Sequence, residues 1–289
     1  MPKPNFFIIG APKCGTTSLA HWLSEHPAVF MPKIKELDFF NTDIRKTFVE
    51  SMDDYLAHFR HAAERHTAIG EASTGYLRSH SAVPAIERAF PGCRYIVCLR
   101  NPAKMAPAWH QQMLRECWED VHDFETAWSL QEARRNGEHI PATCAEPANL
   151  QYAEVCALGS QVERLLATVD AARVHFVLLE ELRDHPAATY GGVLDFLGLA
   201  DDGREHFPAL NVAARIPAPV SRAIRRVSDF KRRHHIGTGL GMLNALSNVL
   251  ARPQRQTVDR ATQIMLRRRF AAEVEQLQQQ IGRSLTHWQ

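Results

Sequence analysis

Residues 5–18 read NFFIIGAPKCGTTS, and this stretch decides the fold. Asn5–Gly10 is a short apolar run, rich in aromatic and β-branched residues and bounded by Pro4 and Gly10. That is the pattern of a buried strand. Ala11–Ser18 follows as a glycine-bearing loop, and Leu19–His26 then carries Leu19, Trp22 and Leu23 on one helical face. Strand, loop and helix in this order make an anion cradle, because the loop amides and the helix N-terminus aim N–H groups at one point. The plain alternative is a strand–turn–helix with Thr16 or Thr17 as its cap.

A nucleoside-triphosphate loop reads G-x-x-x-x-G-K-[ST]. Gly10 and Gly15 keep that spacing, but Thr16 stands where the lysine belongs, and the loop's lysine is Lys13. The later strand YIVCL runs into Arg100 and brings no carboxylate for Mg²⁺. The loop therefore suits an anion held by a lysine, hydroxyls and backbone, with no metal.

Composition narrows the class. A chain of 289 residues with 45% hydrophobic content supports a sizeable core in one or two domains. A net charge of +2 does not indicate a general nucleic-acid binder. The apolar run in MPKPNFFIIG is far too short for a signal peptide or a membrane span, and no other run approaches spanning length. Six cysteines without a CxxC pair or metal-like spacing read as reduced thiols of a cytoplasmic protein.

PKCGTTSL after an apolar strand resembles the 5′-phosphosulfate loop of the sulfotransferases that use 3′-phosphoadenosine 5′-phosphosulfate (PAPS). The resemblance implies that Lys13 contacts the bridging oxygen and the transferring sulfuryl group. Cys14, Gly15, Thr16, Thr17 and Ser18 then form the 5′-phosphate cradle, with the Cys14 thiol itself a bystander. Lys35, Glu36, Phe39 and Phe40 match a K-E-x-x-F-F pattern of heparan-type and bacterial relatives. By that resemblance Glu36 is the general base that takes the acceptor's proton, chemistry that suits a positioned carboxylate beside a poor nucleophile. Asp38, where heparan-type enzymes often carry histidine, is the second candidate. RYIVCLRNP, Arg94–Pro102, matches the family's 3′-phosphate element and assigns Arg100 to that phosphate, which a planar guanidinium fork fits well.

Three positions depart from the family pattern: Ala72 replaces a lysine, Ala108 a serine, and Met105 a frequent arginine. His110, on the helix after Arg100, reads as a surface histidine, with substitution for the missing 3′-phosphate ligand as the less favoured alternative. The polar stretch Gln131–Asn149 reads as a loop of the kind that covers substrates. Tyr152–Thr168 reads as one helix, Ser51–Ala63 as another, and Val174–Leu182 as the last core strand. A basic segment within 211–237 supplies Arg215, with Arg222, Arg225 and Arg226 beside it, as candidates to cover the donor. A basic amphipathic helix on an anionic membrane is the less favoured alternative, and a solvated basic face the bland one. A C-terminal helix within 254–289 ends in a glycine stop and Trp288, expected on the core.

The expectation is a single α/β domain over 1–289, P-loop-like and three-layered, with a mainly parallel sheet of about five strands flanked by helices. The expected activity is sulfuryl transfer from PAPS to a hydroxyl, and as the less favoured alternative an amine, of a small-molecule or carbohydrate acceptor, releasing 3′-phosphoadenosine 5′-phosphate (PAP). A kinase-like P-loop transferase and a non-catalytic PAP- or nucleotide-binding protein are the alternatives. Nothing in the spacing bears on the acceptor's identity or on oligomeric state.

Overall fold

Phe6, Phe7, Ile8 and Ile9 are all completely buried. A strand with both faces apolar belongs in the middle of a parallel sheet whose two faces are covered. The computed structural model describes residues 1–44, 49–210, 214–215 and 252–253 (backbone only for these two pairs) and 258–288. It places β1 (Phe6–Gly10) centrally, parallel to β3 (Ala68–Ala72) on one side and to β4 (Arg94–Leu99) on the other. β2 (Val29–Phe30) pairs with β3, and β5 (Val174–Leu178) pairs with β4. The order is β2-β3-β1-β4-β5; the five strands are all parallel and flanked by helices, matching the mainly parallel sheet of about five strands that the sequence predicts. From β1 the chain runs first to the edge strand β2, returns to β3 beside β1, and then crosses to β4 and β5 on the other side. The crevice beyond the carboxyl end of β1 is therefore the switch point where open α/β sheets bind ligands.

The chain divides into two compact units. The first comprises Met1–Arg100, Leu158–Asn211 and Leu277–Arg283, and holds the sheet. Its helices include α1 (Thr16–Ser24), α2 (Met52–Ala57) and α3 (Ala82–Ala89). An aromatic cluster fills one face of the sheet. Phe40 meets Phe7, Tyr55, Tyr76 and Phe90 edge-on, with ring centroids 5.2–6.4 Å apart. Such edge-to-face pairs add to the burial of the rings themselves.

The second unit comprises Asn101–Ala157, Val212–Gln276 and Ser284–Gln289. Here α4 (Pro102–Arg115) is capped by Asn101, whose side chain accepts from the Ala103 amide at 2.9 Å. α5 (Phe124–Ser129) is capped in the same way by Asp123. α6 (Gln131–Arg135) and α7 (Tyr152–Val155) follow. Met113, Trp118, Ala127, Leu150 and Tyr152 form this unit's core. Within it Arg134 holds Glu119 with two parallel bonds of 2.6 and 2.8 Å, and Tyr152 also donates to Glu119. Burial pushes the Glu119 carboxyl up, but these donors outweigh it and leave it below its usual range. Trp288 is buried as expected, and its carbonyl accepts from Asn101 Nδ2 at 2.8 Å.

Several sequence expectations change. β5 stops at Leu178, and Leu179–Asp184 turns into a helix, α9, before α10 (Pro186–Leu197); α8 (Leu158–Thr168) precedes the strand. The Glu181 side chain accepts the Leu178 amide at 3.1 Å, which starts the helix where an apolar run alone suggested more strand. Gln131–Asn149 is not all loop, since it begins with α6 and ends in a 3₁₀ turn over Pro147–Leu150. Tyr152–Thr168 is broken at Cys156–Ala157 into α7 and α8, and the helix within Ser51–Ala63 is only α2. His110 is fully buried rather than on the surface. Its Nε2 donates to the Val121 carbonyl at 2.8 Å, and its ring meets Phe124 and Tyr152 edge-on.

Of the basic segment, Arg215 lies in β6 (Ala214–Arg215), whose backbone pairs antiparallel with β7 (Arg252–Pro253). The rest of 211–237, with Arg222, Arg225 and Arg226, lies outside the described residues. The last helix is α11 (Arg260–Ile281), and Gly282 follows it at φ 64°. Among the described residues no helix is long and apolar enough to cross a membrane.

Close packing of β1 on β3 depends on one absent side chain. A Cβ at Gly70 would lie 2.0 Å from Phe6 Cζ, in the middle of the sheet. Gly70→Ala is expected to cost about 3 kcal/mol or more, near the top of the overpacking range. A lower urea midpoint with an unchanged denaturant slope is the expected measurement.

Candidate active site

The loop after β1 is held from both neighbouring strands. The Ala11 amide donates to the Cys98 carbonyl on β4 at 2.7 Å. On the other side the Ser73 and Leu77 amides donate to Ile8 and Ile9 at 3.1 and 2.8 Å. Lys13 then adopts φ 63° and Gly15 φ 87°. A left-handed lysine is uncommon, and its strain persists only where the surroundings fix it. One such constraint is Arg100, whose guanidinium donates to the Lys13 carbonyl at 3.2 Å. Arg100 thus leaves β4 directly onto the loop, bringing a second cation to the same backbone.

Gly15 starts α1, and its carbonyl takes the first helical bond, from the Leu19 amide at 3.2 Å. No acidic residue lies in the first turn of α1, so nothing there competes for an anion. Thr16 is buried, and Thr17 and Lys13 are half-buried. The Ser18 hydroxyl accepts from the Leu210 amide at 3.0 Å, so it also ties a later segment of the same unit to the helix. Cys14 is fully buried, with its thiol 3.3 Å from the Pro12 carbonyl.

The second group of residues sits beyond the end of β3. The Glu36 amide donates to the Ala72 carbonyl at 2.9 Å, which fixes the Lys35–Asn41 turn to that strand. The Glu36 carboxylate, half-buried, pairs with Lys35 Nζ at 2.9 Å, and Thr74 Oγ1 lies 3.3 Å from the same oxygen. Sequence reasoning singled out Lys35 and Glu36 but not Thr74, because position in a loop gives no direction to a side chain. Asp38 is nearly fully buried and accepts from Asn41 Nδ2 at 3.1 Å. That enclosed position suits a structural carboxylate better than a base meeting an acceptor. Met105, at one departure from the family pattern, is fully buried in the second unit, and Ala108 is half-buried there. Among the described residues no cluster of three His, Cys, Asp or Glu is arranged to hold a metal.

Behind this turn lies a buried acid. Glu71 is 1% exposed, and Ser73 and Tyr55 donate to its two oxygens. Burial is the largest influence on its carboxyl, opposed by hydrogen bonds from Ser73, Tyr76 and Tyr55 and reinforced by Asp38, and the net effect pushes it up to about 7. Between its ordinary value and 7 the unfolded chain has lost this proton while the folded chain keeps it. Stability therefore falls as pH rises through that window, and the penalty is constant above it. Glu71→Gln, which cannot ionise, is expected to gain in melting temperature relative to the wild type on going from pH 5 to pH 8.

Comparison with known proteins adds to this geometry. Residues 3–207 match a family model described as the sulfotransferase domain. The bifunctional heparan sulfate N-deacetylase/N-sulfotransferase 1 of Caenorhabditis briggsae is 24% identical over 207 residues, covering 68% of this chain and 23% of that protein. The human bifunctional heparan sulfate N-deacetylase/N-sulfotransferase 2 is 27% identical over 207 residues, covering 68% of this chain and 22% of that protein. The chain thus spans less than a quarter of the length of these curated relatives. A solved sulfotransferase from Alicyclobacillus acidocaldarius has a TM-score of 0.74 at 24% identity, covers 100% of this chain and 99% of its own, and shows the same fold. The glycine loop, the Glu36 turn and Arg100 all fall inside the matched residues, and the chain belongs to the sulfotransferase domain family.

Proposed function

We propose that this chain transfers a sulfuryl group from PAPS to a hydroxyl of a small-molecule or carbohydrate acceptor. The observation that carries this reading is that the two candidate reactive groups are anchored at the same ends of two adjacent parallel strands. Lys13 stands three residues past β1, and Glu36 is tied to the last residue of β3. The names of the relatives, with heparan sulfate in them, favour a carbohydrate acceptor.

The residues present fit such a donor. A glycine-started helix, hydroxyls at Thr16 and Thr17, and the Lys13 ammonium suit a 5′-phosphosulfate, and Arg100 suits the 3′-phosphate. Bound there, PAPS supplies an activated sulfuryl group with PAP as its leaving group. Glu36 takes the proton from the acceptor hydroxyl as the new S–O bond forms. Lys35 and Thr74 hold its carboxylate in place. Lys13 and the loop amides offset the charge that grows on the leaving phosphate as the old S–O bond breaks. Products are the sulfate ester, PAP and the proton on Glu36. As in phosphoryl transfer, positioning and charge stabilisation do most of the catalysis. Arg215, on β6, is proposed to help cover the donor, and the reaction to proceed without a metal.

Calorimetry with PAP in EDTA, and with ATP and Mg²⁺, tests the donor. PAP is expected to bind without the metal, whereas a kinase-like transferase requires ATP with Mg²⁺. Radiolabelled PAPS with desulfated heparan oligosaccharides and simple alcohol and amine glycosides tests the transfer. Lys13→Ala is expected to lower turnover by about 10²–10³-fold, by analogy with the loss of one preorganised donor. Glu36→Ala is expected to lower it by about 10²–10⁴-fold while PAP affinity holds. Turnover near wild type in both variants rejects the assignment, and tight PAP binding with no turnover on any acceptor favours a binding protein.

A further inference from the structure

The turn that carries Glu36 is strained at two places. Glu36 sits at φ 65° and Asp38 at φ 51°, both left-handed and neither a glycine. Each such residue costs on the order of 1 kcal/mol and survives only if its surroundings over-determine it. The backbone bonds among those surroundings include a set from one short stretch, the end of β3 and the residues just past it. The Glu36 amide bonds to the Ala72 carbonyl at 2.9 Å, the Asp38 amide to Ser73 Oγ at 3.0 Å, and the Phe39 amide to the Tyr76 hydroxyl at 3.1 Å. Phe40, next in line, plugs into the aromatic core.

Ser73 is the pivot of this set. It is fully buried, and its hydroxyl donates to Glu71 while accepting from Asp38. A hydroxyl has one proton and two lone pairs. With the proton committed to the buried carboxyl, a lone pair faces the turn. Tyr55 fixes the other oxygen of Glu71, so the acceptor that orients Ser73 is itself held.

We infer that Ser73 and Tyr76 are positioning residues for the sulfuryl-transfer base: they clamp the backbone of residues 36–39 so that Glu36 projects in one fixed direction. This rests on the reading of Glu36 as base. The clamp touches neither the donor loop nor Arg100 through these bonds, so its loss is felt at the proton-transfer step and not in donor affinity. Removing Ser73 Oγ takes away a buried acceptor of the Asp38 amide, which loosens the turn.

The test compares Ser73→Ala, Ser73→Thr and Tyr76→Phe with the full wild-type chain, with PAP bound. Hydrogen exchange is followed in peptides covering residues 35–40, PAP affinity by calorimetry, and transfer from PAPS to desulfated heparan oligosaccharides by kcat and KM. Ser73→Ala is expected to speed exchange in these peptides by about tenfold or more, since a lost buried hydrogen bond is worth that factor. Its kcat is expected to fall by roughly 10- to 100-fold, as for a misplaced reacting group, with PAP affinity unchanged. Ser73→Thr, which keeps the hydroxyl, restores both, and Tyr76→Phe repeats the pattern should the alanine variant fail to fold. Unchanged exchange in Ser73→Ala and Tyr76→Phe, or a loosened turn with wild-type kcat, overturns the inference. A wild-type chain that does not bind PAP overturns the donor reading instead, and the exchange comparison still decides whether Ser73 clamps the turn.

Discussion

Two amide bonds at the end of a buried strand set the geometry of this protein. The Ala11 amide reaches across to β4, and the Leu77 amide reaches in from beyond β3 to Ile9. Because β1 is completely enclosed, its main-chain groups must find partners in the protein, and the cost of leaving one unmade is high. The chain leaving β1 therefore has one way out, through a left-handed lysine and a left-handed glycine into α1. Everything chemical in the first unit is referred to that exit. Arg100 grips the Lys13 carbonyl, and the Glu36 turn hangs from the strand next door.

The parallel sheet makes this concentration possible. Each strand ends on the same side, so residues far apart in sequence emerge at one edge without any long-range design of loops. Lys13, Glu36, Thr74 and Arg100 come from four separate stretches and share that edge. The acids divide by environment. Glu36 is half-buried with an ammonium beside it, while Glu71 is sealed behind it among hydroxyl donors. The first setting suits a carboxylate that takes a proton, the role proposed for Glu36, and the second suits one that holds a turn.

Much of this was legible in the sequence wherever the signal is local. The apolar run before Gly10 read as a buried strand, which it is, and the spacing of Gly10, Lys13 and Gly15 marked the loop that leads into α1. Phe39 and Phe40 were legible only as part of a family pattern, and the fold gives Phe40 a further part as the aromatic anchor of the Glu36 turn. What periodicity could not give was direction and enclosure. An apolar run passed through Leu178 into α9 because Glu181 caps the helix from within, and no period distinguishes that from more strand. His110 looked like a surface group because histidine is polar, yet the second unit encloses it and answers it with a carbonyl. Thr74 gained meaning only once the fold put it against Glu36.

The sheet's outer margin on the β2 side is only two residues long, Val29–Phe30. A strand that short offers almost no row of open main-chain donors and acceptors, and so makes a poor template for another chain to add itself. At this margin the protein resists edge-to-edge aggregation through brevity, and Pro27 and Pro32 stand just outside the two ends of the strand. Lengthening β2 by redesign, even with residues well suited to strands, would remove that safeguard.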